Sequence, residues 1–426
     1  MKPAVPLEPR VEKHLAELGE VDVLVGIPSF NNATTIGHVV TTASLGLARY
    51  FPGVRAIIVN SDGGSTDGTR DVVASADALA HQDATAPETL QIAHHLNGVH
   101  RIVTPYHGIP GKGSAFRTIF AIAERLKAKA CAVVDSDLRS IQPGWFELLL
   151  KPILSEGFDY VAPMYLRHKY DGTITNSIVY PLTRALYGKE VRQPIGGEFG
   201  FSGRMASHYL GKHVWESNVA RFGIDIWMTT TAIADGFKVC QAFLGAKVHD
   251  PKDPGADLAD MLIQVVSSVF DLMDRHADTW RNVAAAEAVP LFGPSHGVTL
   301  EPVAVDVQRM LGIFRHGVRD LREIWEKVLD AETLRQVVAL ASESDQAFRF
   351  PDGVWARVIY DFAVAYHRRL LPGEQLLRSL VPLYLGRTAS FVLQAETAGP
   401  EDVEVIIREL ADEYVRQKDY LRNRWR

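Results

Sequence analysis

An alternation of apolar, strand-like runs with polar turns and helical patterns constrains the fold of this chain most. The runs 21–28 and 55–60 are each followed by a polar turn and then by a helical pattern. A third run, 99–103, leads through a glycine-rich turn into a helical pattern over 115–127. This repeat predicts an α/β fold with a mostly parallel sheet. The loops that follow such strands share one edge of the sheet, where a ligand is expected.

The apolar run Ala132 to Val134 ends in Asp135, Ser136 and Asp137. Because side chains alternate along a strand, the two aspartates are expected to point the same way. Two hard oxygen donors on one face suit a divalent cation such as Mg²⁺ or Mn²⁺. The alternative is a solvated strand end, since an acid-x-acid triplet is common.

Composition narrows the class of protein. Hydrophobic residues make up 47% and charged residues 23% of the chain, as in ordinary globular proteins. The formal charge of −6 argues against nucleic-acid binding. No segment is apolar enough to cross a membrane, and the two cysteines give no disulfide framework. We expect a cytoplasmic enzyme with a small-molecule substrate.

The second half of the chain changes character. From about Gly255 onward the sequence is nearly all amphipathic helix, with turns near 290–297, 351–353 and 399–400. We therefore predict a catalytic α/β domain over residues 1–255 and an α-helical C-terminal domain over 256–426.

Several polar residues stand where strands end or helices begin. Asp62 precedes two glycines and suits hydrogen bonding to a nucleobase or ribose, with an Asx turn as the alternative. For Asp67 the turn is the favoured interpretation. The segment Pro28, Ser29, Phe30, Asn31 could line the same pocket.

Three further residues have a functional and a structural interpretation. Lys112, between two glycines, could place an ammonium beside a diphosphate, or be a solvated loop lysine. His249 follows a strand-like segment and could complete the cation site, although a lone histidine is more often structural. Asp225 lies at a predicted helix start, where the helix dipole alone would favour it.

Arg167, Asp171 and Thr175 could hold a small acid.

Six segments together resemble one enzyme family, the GT-A retaining glycosyltransferases of the glucosylglycerate and mannosylglycerate synthase type. They are Pro28-Ser29-Phe30-Asn31-Asn32, Asp62-Gly63-Gly64-Ser65-Thr66-Asp67, Gly111-Lys112-Gly113, Asp135-Ser136-Asp137, Gln193-Pro194-Ile195-Gly196-Gly197-Glu198 and Phe222-Gly223-Ile224-Asp225. The resemblance covers about residues 20 to 255, with a nucleotide-sugar half over 20–137 and an acceptor half over 138–255.

The resemblance implies transfer of glucose or mannose from a nucleotide diphosphate sugar, with a divalent metal on the diphosphate. It implies donor-binding roles for Pro28, Ser29, Phe30, Asn31, Asp62, Lys112, Ser136, Gly197 and Glu198, metal-binding roles for Asp135, Asp137 and His249, and acceptor-binding roles for Arg167, Asp171, Thr175 and Gly196. Asp225 and Asp137 are the implied catalytic residues, with Asp225 positioning the reactants rather than attacking covalently. A homodimer is compatible with the resemblance.

One departure bears on the acceptor. Relatives that use 3-phosphoglycerate carry an arginine where this chain has Thr173, and threonine supplies no cation. We therefore predict D-glycerate as acceptor, with glucosylglycerate or mannosylglycerate as a compatible solute. The alternative is 3-phosphoglycerate. More distant alternatives are a sugar-phosphate nucleotidyltransferase, which would want a basic glycine-rich loop after the first strand, and a nucleotide-sugar-binding protein without activity.

Overall fold

The structure is a computed structural model that describes residues 5–80, 99–106, 109–221, 223–247, 259–294 and 303–425. As far as they are described, the residues form two compact units. The first comprises Met1–Leu166, Ile195–His249 and Val289–Thr299, and the second comprises Arg167–Pro194, Asp250–Ala288 and Leu300–Arg426. The predicted domain boundary near residue 255 stays a prediction. The units group 167–194 with the helical part of the chain and 289–299 with the sheet.

Ten strands occur in the described ranges. They are β1 (Val23–Ser29), β2 (Ala56–Asp62), β3 (Val99–Pro105), β4 (Ala130–Val133), β5 (Tyr160–Leu166), β6 (Lys189–Glu190), β7 (Phe199–Ser202), β8 (Val239–Ala246), β9 (Glu287–Ala288) and β10 (Leu291–Phe292).

The described α-helices alternate with these strands in the first unit and dominate the second. They are α1 (Pro9–Leu18), α2 (Ile36–Tyr50), α3 (Thr69–Ala80), α4 (Lys112–Arg125), α5 (Gly144–Glu156), α6 (Tyr180–Tyr187), α7 (Gly203–Leu210), α8 (Ile224–Ala234), α9 (Ala259–Arg275), α10 (Ala277–Trp280), α11 (Val307–Asp320), α12 (Arg322–Val328), α13 (Ala331–Leu340), α14 (Asp352–His367), α15 (Gly373–Gln394), α16 (Pro400–Arg416) and α17 (Lys418–Arg424).

Eight strands of the first unit form one sheet, in the order β10, β8, β5, β7, β4, β1, β2, β3. All neighbours are parallel except that β7 runs antiparallel to both β4 and β5. The predicted fold class is therefore confirmed: an α/β fold with a mostly parallel sheet and a helical C-terminal region. The strand β7 and the short edge strand β10 were not predicted.

Both faces of the sheet are covered, which explains the continuous apolar runs. On one face Val25 and Ile27 of β1 pack in a core cluster with Phe146 and Leu149 of α5. On the other face α4 lies so close to β1 that a Cβ at Gly26 would fall 2.6 Å from Ile119. β1 and its neighbour β2 are buried along their whole lengths, so the ends of these strands are held in place by the core.

The second unit is a helical assembly with a two-stranded parallel sheet of β6 and β9. It buries Trp280, Trp325, Trp355 and Trp425, and one turn of π-helix, Thr175–Val179, precedes α6. None of the described helices combines the length and apolarity needed to cross a lipid bilayer.

Candidate active site

The strand order reverses beside β1, and this reversal locates the candidate site. From β1 the order runs through β2 to β3 on one side, whereas β4 lies on the other side of β1. In open α/β sheets a ligand crevice forms outside the carboxyl ends of the strands that flank such a reversal. β1 ends at Ser29 and β4 at Val133, so the residues that follow them lie at this crevice.

Lys112 brings two of the predicted carboxylates together. It is the first residue of α4, and its Nζ lies 2.7 Å from Oδ1 of Asp135 and 3.1 Å from Oδ1 of Asp225. Asp135 lies two residues beyond β4, and Asp225 lies in the first turn of α8. The ammonium therefore bridges two acids that are 90 positions apart in the sequence.

A second ammonium, that of Lys247, contacts the other oxygen of Asp135. Lys247 Nζ lies 3.5 Å from Asp135 Oδ2 and donates to Glu198 Oε2 at 2.8 Å, to Oε1 at 2.9 Å and to the Gly196 carbonyl at 2.8 Å. The Tyr165 hydroxyl also donates to Glu198. We call Lys112, Asp135, Glu198, Asp225 and Lys247 the acid–lysine cluster.

The charges in the acid–lysine cluster shift the pKa values of its members in opposite directions. Burial alone would raise the pKa of Asp135, but Lys112 and Lys247 outweigh it and hold that pKa at about 2. Burial raises the pKa of Glu198 to about 7, against the pull of Lys247 and with the help of Asp135. Burial also raises the pKa of Asp225. Asp135 and Asp225 raise the pKa of Lys112 against the effect of burial, so this ammonium stays charged.

The turn before β7 approaches Asp135 so closely that only glycine fits. Gly197 has φ +96°, and a Cβ there would overlap Asp135 Oδ2 and lie 2.9 Å from Lys247 Nζ. Glycine is therefore required at this position for two reasons: the positive φ angle disfavours other residues, and a side chain would overlap Asp135. Since β7 is antiparallel, its first residue Phe199 pairs with Val133 at the carboxyl end of β4. This pairing places Gly196, Gly197 and Glu198 at the crevice.

Asp62 ends β2 and is fully enclosed by internal donors. Its Oδ1 accepts from the hydroxyls of Ser29 at 3.1 Å and Ser65 at 2.6 Å. Its Oδ2 accepts from the backbone N–H groups of Gly64 and Ser65, both at 2.9 Å, and from Arg70 Nε at 2.7 Å. Burial opposes ionisation, but these hydrogen bonds prevail and lower the pKa of Asp62. The carboxylate holds the loop after β2.

The loop after β1 is fastened to the loop after β2. Asn31, at φ +53°, donates its backbone N–H to Ser65 Oγ and accepts from the Thr66 N–H through its side chain. Asn32 Oδ1 accepts from the Phe30 N–H and from Ser136 Oγ. These bonds leave the Phe30 ring exposed. The other residues predicted here are placed at the same edge: Pro28 pairs with Ser61, and Ser29 with Asp62.

The described residues do not complete a site for a divalent cation. β4 ends at Val133, so the strand predicted to reach Asp137 is shorter than expected and strand alternation does not orient the two aspartates. Asp137 is exposed, while both oxygens of Asp135 contact ammonium groups. Within the described ranges no three His, Cys, Asp or Glu side chains are grouped as a metal would need. His249 lies outside the described residues.

The predicted acceptor residues Arg167, Asp171 and Thr175 belong to the second unit. Arg167 Nη1 lies 3.3 Å from Asp171 Oδ2, and Thr175 begins the π-helix Thr175–Val179. All three side chains are partly exposed. Thr173 is buried and its hydroxyl is 2.5 Å from that of Tyr384. The Thr173 side chain is therefore engaged within the protein and carries no charge for an acceptor phosphate.

Reasoning from the sequence missed Lys247 and Tyr165. Lys247 is the residue directly after the apolar strand β8, and Tyr165 is the penultimate residue of β5. A charged residue directly after a buried parallel strand is a usable signal, because the strand ends share one edge. For Tyr165 no local signal exists, since a tyrosine in a strand is ordinary.

No protein-family model matches the chain, and no curated protein matches it. Among solved structures it is similar to glucosyl-3-phosphoglycerate synthase from Mycobacterium tuberculosis in complex with Mg²⁺ and UDP, at 20% identity and a TM-score of 0.44, over 62% of this chain and 83% of that chain. The same enzyme with Mn²⁺, UDP and phosphoglyceric acid gives 20% identity and a TM-score of 0.43, over 62% and 82%. A structure described as a mycobacterial protein gives 22% and 0.43, over 62% and 78%. These values are too low to assign the chain to a family or to transfer a substrate.

Proposed function

We propose that this chain is a retaining hexosyltransferase that moves glucose or mannose from a nucleotide diphosphate sugar to D-glycerate. The observation that carries the proposal is the acid–lysine cluster at the carboxyl edge of the sheet. It places a charged, largely buried ammonium, that of Lys112, at the crevice where an α/β sheet binds its ligand. The resemblance of the surrounding motifs to GT-A glycosyltransferases selects a sugar donor among the anions that such a crevice could hold.

Lys112 is suited to bind a diphosphate because phosphate oxygens can replace the carboxylate oxygens that its ammonium contacts now. The ammonium is shared between Asp135 and Asp225, and a phosphate oxygen could take the place of either carboxylate. Lys112 also opens α4, where the helix dipole favours negative charge. Breaking the bond between sugar and phosphate leaves negative charge on the departing diphosphate, and a fixed ammonium stabilises that charge as it develops.

The transfer replaces one bond at the anomeric carbon with another on the same face. The bond from the anomeric carbon to the phosphate oxygen breaks, the acceptor hydroxyl oxygen bonds to that carbon, and the hydroxyl proton passes to the departing phosphate. Asp225 is assigned a positioning role beside the sugar and acceptor. Glu198 is buried and bonded to Lys247 and Tyr165, so we assign it to holding the crevice wall.

A divalent cation, Mg²⁺ or Mn²⁺, stays a predicted cofactor with Asp135, Asp137 and His249 as its predicted ligands. When bound it would add positive charge beside the diphosphate. Chelation with EDTA followed by readdition of Mg²⁺ or Mn²⁺ tests it directly. Activity that survives chelation in full would contradict the metal prediction and leave the lysines as the cations of the site.

D-glycerate is favoured as acceptor by the surroundings of two residues in the second unit. Thr173 is buried against Tyr384 and offers no cation for a phosphate. Arg167, held at 3.3 Å from Asp171, could pair with a carboxylate, while Asp171 and Thr175 could accept or donate to hydroxyls. 3-Phosphoglycerate remains the alternative acceptor.

The decisive experiment crosses UDP-, GDP- and ADP-glucose and GDP-mannose with D-glycerate and 3-phosphoglycerate in the presence of Mg²⁺ or Mn²⁺. We expect turnover with D-glycerate and retention of the anomeric configuration in the product by NMR. A preference of about tenfold or more in kcat/KM for 3-phosphoglycerate would contradict the acceptor prediction. Tight donor binding without turnover would support the binding-protein alternative.

Arg167→Met tests the acceptor pocket. We expect KM for D-glycerate to rise roughly tenfold or more, because the guanidinium partner of the carboxylate is lost, while KM for the donor is unchanged. Arg49→Met in α2 is the control, since Arg49 is exposed and lies in the last turn of a helix of the first unit. An equal rise for donor and acceptor would contradict the assignment.

A further inference from the structure

The predicted acceptor residue Thr175 begins a single turn of π-helix. The turn spans Thr175–Val179, directly before α6, and the Tyr180 N–H closes it by donating to the Thr175 carbonyl five residues earlier. Such a turn holds one residue more than a turn of α-helix, and turns of this kind are frequent at functional sites. The Thr175 side chain is partly exposed, so a small ligand can reach it.

The extra residue in the turn sets the direction of the Thr175 side chain. Successive residues of an α-helix are roughly 100° apart around its axis, because 3.6 residues complete one turn. If the segment were an ordinary α-helix, the Tyr180 N–H would bond to the Asn176 carbonyl instead. Thr175 would then be rotated by roughly 100° relative to α6. The π-helical turn therefore has to be held for Thr175 to keep its position.

The carbonyl of Ser177, at the centre of this turn, has side chains as its hydrogen-bond donors. In an α-helix it would accept from the residue four positions on, but that residue is Pro181, which has no N–H. Trp355 Nε1 donates to the Ser177 carbonyl at 2.9 Å, and the Tyr414 hydroxyl donates to it at 2.9 Å. A carbonyl oxygen has two lone pairs. Both are used, so the peptide plane of Ser177 is fixed from two sides.

Tyr414 belongs to the buried interior of the second unit. It lies on α16 and is 0% exposed, and its ring packs edge-on against that of Tyr360, with the ring centroids 5.5 Å apart. Burial raises the pKa of Tyr414 above its ordinary value, so its hydroxyl keeps the proton that it donates. A side chain this deeply buried can influence a bound ligand only through the atoms that it holds.

We propose that Tyr414 is a positioning residue for the acceptor, which acts through the Ser177 carbonyl by holding the π-helical turn that directs Thr175. This inference rests on the proposed function, since that function assigns Thr175 to the hydroxyl groups of D-glycerate. Without the Tyr414 hydroxyl, the Ser177 carbonyl loses one of its two donors and the turn is free to move toward the α-helical arrangement. The acceptor then loses its contact with Thr175, while the predicted donor residues, which belong to the first unit, keep theirs.

Steady-state kinetics of Tyr414→Phe test the proposal, because this change removes one oxygen atom and keeps the ring. We expect KM for D-glycerate to rise roughly 3- to 10-fold, which corresponds to the loss of one hydrogen bond. KM for the sugar donor should be unchanged, and circular dichroism establishes that the variant is folded. An unchanged KM for D-glycerate, or an equal rise in both KM values, would overturn the inference.

Tyr360→Phe is the matched control. Tyr360 is also 0% exposed, and its hydroxyl also donates to a backbone carbonyl, that of Tyr414, at 2.6 Å. We expect the urea midpoint to fall by a similar amount in both variants, while Tyr360→Phe keeps the wild-type KM for D-glycerate. If Tyr360→Phe raised that KM as much as Tyr414→Phe does, lost stability would explain the effect and the positioning role would be wrong.

A double-mutant cycle with Thr175→Val tests whether Tyr414 acts through Thr175. Thr175→Val removes the hydroxyl with little change of shape, and we expect it to raise KM for D-glycerate. Adding Tyr414→Phe to it should raise that KM no further, because both changes remove the same contact. Effects that multiply in the double variant would overturn the inference and leave the proposed function intact.

Two other results would contradict the proposed function itself. An unchanged KM for D-glycerate in Thr175→Val would mean that Thr175 does not bind the acceptor. A folded wild-type protein that transfers no sugar to D-glycerate would remove the acceptor on which the positioning role depends.

Discussion

Lys112 in the first unit and Lys418 in the second both hold an ammonium inside the protein, but with different partners. The Lys112 side chain is 17% exposed and lies between the carboxylates of Asp135 and Asp225. Lys418 is 5% exposed and donates to two backbone carbonyls, those of Ala185 at 2.7 Å and Val283 at 2.8 Å.

The difference in partners gives the two lysines opposite pKa shifts. The neighbouring acids raise the pKa of Lys112 in spite of burial, whereas burial lowers the pKa of Lys418 to about 7, with nearby Arg422 adding to the fall. Carbonyl groups offer dipoles but no countercharge. A lysine paired with acids remains a cation that can change partners, and a lysine paired with carbonyls mainly ties chain segments together. We therefore expect activity to depend on the first and pH-dependent stability on the second.

The largest effect that would test this contrast is the loss of activity on Lys112→Met. We expect kcat/KM for sugar transfer to fall roughly 10²- to 10³-fold, because one fixed charge facing the departing diphosphate is removed. Steady-state kinetics measure the fall, and circular dichroism establishes that the variant is folded.

Lys129→Met is the matched control. Lys129 Nζ lies 2.8 Å from Asp22 Oδ1, but its side chain is 71% exposed and the pair lies at the amino ends of β1 and β4. Exposed pairs of this kind contribute little. We expect kcat/KM within about twofold of wild type. A comparable loss in both variants would break the distinction between the two ends of the sheet.

A smaller effect is expected when the geometry of the acid–lysine cluster is changed without removing a charge. Gly197→Ala forces a Cβ onto Asp135 and Lys247 at a backbone angle of φ +96°. We expect destabilisation of about 1–3 kcal/mol from the backbone strain together with a fall in kcat. Urea unfolding and kinetics on the same preparation measure the two.

Gly157→Ala is the control that has the backbone strain of Gly197→Ala but not its contact with Asp135 and Lys247. Gly157 ends α5 in the left-handed conformation, φ +70°, and a Cβ there meets nothing within 4 Å. This variant should lose about 1–2 kcal/mol of stability and keep its kcat. If both glycine variants kept wild-type kcat, the close approach of Gly197 to Asp135 would have no role in activity.

The smallest effect concerns the pH dependence of stability through Lys418. Its pKa in the folded chain is about 7, below the ordinary value of 10.5. Between these values the unfolded chain holds a proton that the folded chain has released, so stability rises with pH, by at most about 1.4 kcal/mol per pH unit. Below pH 7 both states are protonated and the slope vanishes. Urea midpoints at pH 7 and pH 9 should differ in the wild type, and by less in Lys418→Met.

Lys327→Met provides the reference for that measurement, since Lys327 is exposed on α12 and should keep the wild-type difference between the two pH values. Lys418→Met will also be less stable at both pH values, because two buried carbonyls lose their donor. An unchanged pH dependence in Lys418→Met would mean that another group is responsible for it.

The elements of the sheet were largely predictable because both of its faces are buried. β1, β2 and β3 lie where the apolar runs predict them, and α2, α4 and α8 follow the predicted helical patterns within a few residues. For Lys112, Asp135 and Asp225 the sequence could predict only that they lie at one edge of the sheet. It could not predict that the ammonium pairs with the two carboxylates. The sequence pattern shows which residues follow strands, and parallel strands bring such residues together.

The rest depends on contacts between distant segments. The strand predicted to end at Asp137 ends at Val133, where its pairing with β1 ends at Gly26 and its pairing with β7 ends at Phe199. Lys247 meets Glu198, 49 positions earlier, through the packing of β8 and the turn before β7. No local periodicity in the sequence predicts the end of β4 or the contact between Lys247 and Glu198. The saturation of Asp62 likewise depends on five donors whose directions the sequence does not contain.

The reversed direction of β7 has a consequence for how this scaffold tolerates insertions. In the parallel strands, the loop that follows the strand reaches the crevice and the loop that precedes it lies at the far edge. For β7 the two edges are exchanged: the segment that precedes the strand, with Glu198, lies at the crevice, and the segment that follows it lies at the far edge. There the Gly203 N–H donates to the Lys129 carbonyl. Lengthening the connection before Phe199 would therefore disturb the crevice. Around this one strand, the side that spares the crevice is the far edge, where α7 begins at Gly203 without an intervening loop.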